Sequence, residues 1–557
     1  MKRFLNTMIL GGCLLLGLNL AGDYACAQVQ GIDFPISTWT PEQVKTLPSS
    51  FWTVQARTER SWADYIANQE RLYTQIYGPK IKNAYDLFLQ DQFQASKETK
   101  PPQVRERKTL KRLVDLATIP GKNLGRLKGS PLVALRVMAF KDGALRVIPH
   151  DVMEVSATGR LVLPYGPEGN PKDGDGVLGD GDTLYFMAMD AGDRVDPRYI
   201  GEIFRGAQGV TEIELTYAPD SERGWVYAAT FPSQPPDKSP LEYSKIFPEA
   251  SMIYTPYALV QSMPRADKAG LRPTIDVCTW AAAPSMGGVP RDIHKKLRLN
   301  LEATLKGGFS IGQDQDASDL RFRAWYAGPV IIYGRASWKI KTPLGIGAPV
   351  VFADLFGTAF TCRDQNFIWT AFDPSILMRT FNTTVGEEAN RQTLAPDTYR
   401  IITYRDRKVF TIKGQSPAGT KIVAQESQGP EGTKPDLWHI STGRAGSMCM
   451  YVGLNDDMMR HAAKFNMLWE DSPEHIGAYL YNLDVVNFKK RDECMFLEWN
   501  VIPNFWNNGN YRWDNLDLVL KPHQKPLTFT VDGGQSIPTP RFLNVPNIKD
   551  ERRYYTY

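Results

Sequence analysis

Closely spaced cysteines are missing from this chain. Six cysteines are spread over 557 residues, and no CxxC or CxxCH occurs. That excludes a thioredoxin-like redox site and covalently attached c-type haem. The six histidines (His150, His294, His439, His461, His475 and His523) include no pair at the spacing of a zinc motif. A strong charge of one sign is missing too. Lys+Arg 65 against Asp+Glu 61 leaves +4, so no nucleic acid partner is expected. The two basic clusters, Lys108 to Arg112 and Arg552–Arg553, read as solvated faces. Beyond the N-terminus there is no apolar run long enough to cross a bilayer as a helix, so no transmembrane segment is expected in the mature chain. Neither haem nor a nucleotide is an expected cofactor.

What is present is an ordinary globular composition, 42% hydrophobic and 23% charged, in a chain long enough for two to four domains. Its start has the pattern of an export signal. Lys2 and Arg3 precede an apolar run from Met8 to Ala21, and Ala25-Cys26-Ala27 places small residues where a signal peptidase reads. The apolar run is shorter than the roughly 20 residues of a spanning helix. Leu10-Gly11-Gly12-Cys13 loosely fits a lipobox but leaves Leu14 to Leu20 unexplained. The expectation is a bacterial product exported to the periplasm or cell surface, cleaved so that it begins at Gln28. It then keeps Cys278, Cys362, Cys449 and Cys494, an even number compatible with two disulfides in any of three pairings, or with buried thiols.

Helical spacing appears early. Trp62, Tyr65, Ile66, Leu72, Tyr73 and Ile76 share a face, Gly78-Pro79 stops the run, and Ile81 to Phe93 reads as a second helix. From about Pro131 the pattern turns to short strands: Leu132 to Phe140, Ala144 to Ile148, Thr183 to Ala188, Glu212 to Tyr217 and Trp225 to Phe231. Lys141-Asp142-Gly143 signals a hairpin turn, and the Pro-rich stretch Ser233 to Pro240 marks a domain boundary. Further strands follow, including Lys296 to Leu305, Leu320 to Tyr326, Val330 to Ile340 and Arg400 to Tyr404, with Asp456 to Phe465 the main later helix candidate. The expected order is signal peptide 1–27, helical region and linker 28–125, β-sandwich 126–236, large β-sandwich 241–530 and tail 531–557. A transmembrane β-barrel is the competing all-β reading. The charges of Lys549 to Arg553 and the lack of a regular strand–turn period weigh against it.

Three stretches carry a resemblance: Gly143 to Pro149 with Asp182 to Ala188, Gly224-Trp225-Val226-Tyr227, and Gly328-Pro329-Val330. In this order they resemble a group of secreted bacterial β-proteins of unassigned activity. The long C-terminal domain is similar to the supersandwich of mutarotase-like and polysaccharide-lyase proteins. The resemblance implies a mainly β fold with a small helical N-terminal region, a β-sandwich and a large β-supersandwich, and a sugar-related role. It transfers no catalytic residue.

Two local constellations suggest chemistry. Asp173, Asp175, Asp180 and Asp182 alternate with glycines in one loop, a pattern that lets carboxylates and carbonyls converge on calcium. The alternative is a pair of Asp-Gly turns. Asn504, Phe505, Trp506, Asn508, Tyr511 and Trp513 place flat rings beside amides, which suits sugar faces and hydroxyls; the alternative is strand core with a turn between. Gly308-Phe309-Ser310-Ile311-Gly312 matches a nucleophile elbow, but a polar loop, Gln313 to Asp316, is expected after it where the elbow needs a helix. Glu474-His475 reads as part of a surface loop. The leading expectation is an envelope protein that binds a glycan or partner protein without catalysis. A carbohydrate-active hydrolase or lyase is second, and an envelope assembly component third.

Overall fold

The computed structural model describes residues 55–80, 102–247 (113, 114 and 167 apart), 321–339 and 526–539, together with strand backbones between 252 and 503. The fold is mainly β, and its sheets are antiparallel. Helix α1, Gln55–Tyr77, coincides with the expected helical spacing. It ends at Gly78, whose φ of +104° suits a left-handed cap that glycine adopts without strain. Gln69 and Tyr73, one turn apart, are buried. Arg146 lies over the Tyr77 ring and donates to the Ile76 carbonyl, placing a cation at the helix C-terminus. The second expected helix, Ile81 to Phe93, lies outside the described residues.

A smaller β-unit takes nine strands from the first half of the chain and two from near residue 530: β1 Val104–Glu106, β2 Leu116–Pro120, β3 Leu135–Lys141, β4 Ala144–Val147, β5 Asp151–Met153, β6 Thr183–Met187, β7 Arg194–Val195, β8 Gly209–Tyr217 and β9 Glu222–Thr230, then Thr528–Val531 and Ile537–Pro538. Its central sheet runs Ile537–Pro538, Thr528–Val531, β8, β9, β3, β4. One face packs on the β2–β6–β5 sheet through Ile119, Phe186, Val137, Ile213, Val226 and Phe529. The opposite face is covered by the β1–β7 ribbon and the short helix α2, Ile200–Ile203, around Phe140, Trp225, Tyr227 and Phe204. Burial follows this layering. β8 alternates along its length, whereas β3 and most of β9 are buried on both faces, with Arg136 the charged residue among them. β3 and β4 are joined by Asp142 and Gly143 at φ +51° and +74°, the two left-handed residues that a two-residue type I′ turn demands.

Three expectations for this unit change. The boundary at residue 530 cuts through Thr528–Val531, which pairs with β8 from Thr216 to Ile213 and so belongs to the smaller unit. Arg112, expected on a solvated face, is buried, bonded twice to Asp115 and stacked on Tyr217. The Ser233–Pro240 boundary is a strap rather than a free linker. Arg136 and Gln69 donate to its Pro236 and Pro240 carbonyls, and Leu241, Tyr243 and Ser244 after it are buried.

The larger unit has a 13-stranded sheet running from Lys245–Phe247 to Lys408–Lys413, and a six-stranded sheet running from Ser310–Asp316 to Thr420–Ser427. Gln313 to Asp316, expected as loop, is the end of that edge strand, where polar side chains are tolerated. Ala462 to Phe465, expected as helix, begins strand Ala462–Asp471 and pairs with Ile476–Val486; this long-range pairing overrides the local helical spacing.

The sheet order also bears on the cysteines. Three strands separate the strand of Cys278 from that of Cys362, and the Met495–Pro503 strand separates Cys362 from Cys449. Two strand spacings are about 9–10 Å, beyond the roughly 7 Å that a disulfide bridges between Cα atoms. No two of these three cysteines lie on neighbouring strands of the sheet. Cys494 lies outside the described residues.

Candidate functional site

The acidic loop is stitched to the segment that follows β2. Gly121 N–H donates to the Asp182 carbonyl (2.7 Å), Leu178 N–H to Ser130 (2.9 Å) and Leu132 N–H to Gly176 (2.8 Å). Leu178 enters the core. Gly121 permits this approach, because a Cβ there would stand 2.0 Å from the Gly179 carbonyl oxygen. The four aspartates then take separate partners. Asp182 is buried and accepts from Val155 N–H (2.8 Å) and Gly179 N–H (2.7 Å). Asp175 accepts from Val177 N–H (2.9 Å), and Asp180 pairs with Lys128. Asp173 accepts from the Asn170 amide (3.0 Å) and lies 3.9 Å from Arg160. Asn170 otherwise serves the backbone of Leu161 and Leu163. Burial raises the Asp182 carboxyl above its ordinary range, opposed by its two backbone bonds, and Glu154 and Asp175 push the same way as burial. Among the described residues no three His, Cys, Asp or Glu side chains gather as a metal set.

A second acidic position, which the sequence reading missed, is Asp151 on β5. It shares the inward face with Met153. Its carboxylate reaches the tip of the hairpin formed by Arg321–Ala327 and Ile331–Lys339 in the 13-stranded sheet. Oδ2 accepts from Val330 N–H (2.8 Å) and Ile331 N–H (2.9 Å), and Oδ1 accepts from the Tyr326 hydroxyl (3.0 Å). Gly328 is required there, since a Cβ would fall 1.9 Å from Oδ1. The tip is held from the strap as well. Ser244 Oγ donates to the Gly328 carbonyl (2.9 Å) and Tyr243 N–H to the Pro329 carbonyl (2.6 Å). Tyr165 and Trp325 exchange backbone bonds and stack with ring centroids 6.4 Å apart. The only sequence signals here were the Gly328-Pro329-Val330 stretch and an acid at an inward strand position.

Asp190 is a further buried carboxylate. Tyr243 donates to both its oxygens at 2.8 Å, and Lys141 stands 3.5 Å away. Burial raises its carboxyl, against the pull of Lys141, Tyr243 and Lys108. Asp193 accepts from Arg107 and from Lys108 N–H. Each of these acids is tied to a structural donor.

The expected sugar-binding residues Asn504, Phe505, Trp506, Asn508, Tyr511 and Trp513 lie outside the described residues, as do Gly308, Phe309, Glu474 and His475. No helix among the described residues is long and apolar enough to cross a membrane.

No protein-family model and no curated protein matches this chain. Among solved structures it is similar to the Slr1438 protein of Synechocystis sp. PCC 6803, at 10% identity over 48% of this chain and 98% of that one, with a TM-score of 0.23. It is likewise similar to HI1317, at 7% identity over 48% and 98%, with a TM-score of 0.23. An Aspergillus nidulans amine oxidase matches at 6% identity over 58% and 61%, with a TM-score of 0.23. Likenesses of this size decide neither fold nor activity.

Proposed function

We propose that this chain is an exported envelope protein that binds a glycan or a partner protein through its larger β-unit without catalysing a reaction. The observation behind this reading is the use of the acids. Among the described residues, Asp151, Asp182, Asp190 and Asp193 of the smaller unit are buried and spent on backbone, tyrosine, lysine or arginine donors, which leaves ligand contact to the larger unit. A general acid or base needs instead a carboxyl within reach of substrate. The smaller unit, sandwiched on both faces, serves as a rigid mount for the larger sheets. The ring-and-amide cluster around Trp506 is the proposed contact surface, on the sequence pattern alone.

A glycan array with the purified mature chain tests the reading, with Trp506→Ala alongside. Retention of a glycan by the wild type and its loss in the variant, at an unchanged melting temperature, is the expected result. Release of new reducing ends or unsaturated sugar products from a retained glycan would replace binding with catalysis.

A further inference from the structure

Asp151 joins the two units at a point that the proposed binding function does not use. Its side chain is buried, and each oxygen already serves the hairpin tip. We propose that the Asp151 carboxyl is a proton-controlled latch between the smaller β-unit and the Arg321–Lys339 hairpin, fastening more tightly as the surroundings acidify.

The geometry suits a neutral carboxyl as well as an ionised one. Oδ2 can keep both backbone donors when Oδ1 carries a proton, because the Tyr326 hydroxyl both donates and accepts. Protonation therefore reverses one bond and breaks none. The ionised form keeps the same contacts but bears the cost of burying a charge. The groups facing it are Tyr326 from the hairpin, Tyr185 from β6 and Lys238 from the strap. Burial drives both tyrosines further above their ordinary range, so they stay neutral. Burial likewise pushes the Asp151 carboxyl up to about 6, against the bonds from Ile331, Val330 and Tyr326 and the charge of Lys238.

The docked carboxyl thus holds a proton more tightly than the undocked one, whose ordinary value is 3.8. Its contribution to docking is complete below about 4 and is lost as pH rises through about 6. His150, the next residue in the chain, works in the opposite sense. Burial first, with Lys238 and Arg136, holds its imidazole down at about 4, so folding loses that contribution as pH falls from 6.5 towards 4. Global unfolding mixes the two; the hairpin tip and an Asp151 variant separate them.

Hydrogen exchange on the full chain between pH 4.5 and 7.5, corrected for intrinsic rates, is the test. A peptide spanning Tyr326 to Ile332 reports the latch and the β8–β9 peptide serves as reference. Protection of the tip should rise on acidification by ~10-fold to 100-fold, the size a shift of one to two pH units carries, while the reference stays level. Asp151→Asn should be protected at every pH, because the amide oxygen replaces Oδ2 and the amide nitrogen donates to Tyr326. Asp151→Ala should be open throughout. Tyr326→Phe should move the midpoint upward, since the bond to the charged form is the stronger one lost. A flat wild-type profile overturns the latch. So does an Asp151→Asn profile that matches the wild type, which assigns the effect to a group other than Asp151. Should Asp151→Asn fail to fold, an unmoved midpoint in Tyr326→Phe overturns it equally.

Discussion

The acidic loop and the hairpin junction use carboxylates in opposite ways. The loop packs four aspartates into ten residues, yet three of them sit at or near the surface and hold only local turns or ion pairs. The junction has one aspartate, and that single side chain carries three bonds to a chain segment some 175–180 residues away. Density in the sequence therefore says little about energetic weight. Burial and the number of donors left behind decide it.

Substitutions at the two places should separate cleanly. Gly328→Ala has the largest expected effect, because its Cβ cannot share space with Asp151 Oδ1. Loss of roughly 3 kcal/mol, from overpacking plus broken buried bonds, should appear as a lowered urea midpoint. Asp182→Ala strips acceptors from the Val155 and Gly179 N–H groups and should cost about 1–3 kcal/mol by the same measurement. Equal losses at Asp182 and Asp180 would erase the contrast drawn above. Asp180→Ala removes an ion pair more than half exposed on both sides, and its midpoint should move by less than about 1 kcal/mol. Chelation separates the two readings of the loop: calcium held by Asp173, Asp175, Asp180 and Asp182 makes the melting temperature fall in EDTA, whereas Asp-Gly turns alone leave it unchanged.

How much of this was legible in the sequence follows from the range of each contact. Helix α1, the Asp142–Gly143 turn and the apolar run of β9 depend on neighbours a few residues away, and their periodicity or turn chemistry declares them. The polar edge strand at Gln313 to Asp316 gave no such signal, because one partner strand at an edge imposes little on composition. Asp151 was hidden for a further reason. A single acid at the start of a short strand has the same local pattern whether it faces water or a distant hairpin. The strand Thr528–Val531 looked like a domain end, and only its pairing with β8 places it in the smaller unit.

That strand has a consequence for how the chain is made. Asp532 accepts from the Glu212 backbone across 320 residues, and Phe529 completes the apolar face begun by Ile213 and Leu215. During synthesis from the N-terminus, β8 emerges early and waits with one edge bare until a strand some 320 residues later has left the ribosome. A product broken off anywhere in the larger unit keeps that edge open, with β8 ready to pair with another chain. The late strand is thus a seal: only a polypeptide that extends through Val531 closes the first sheet it began.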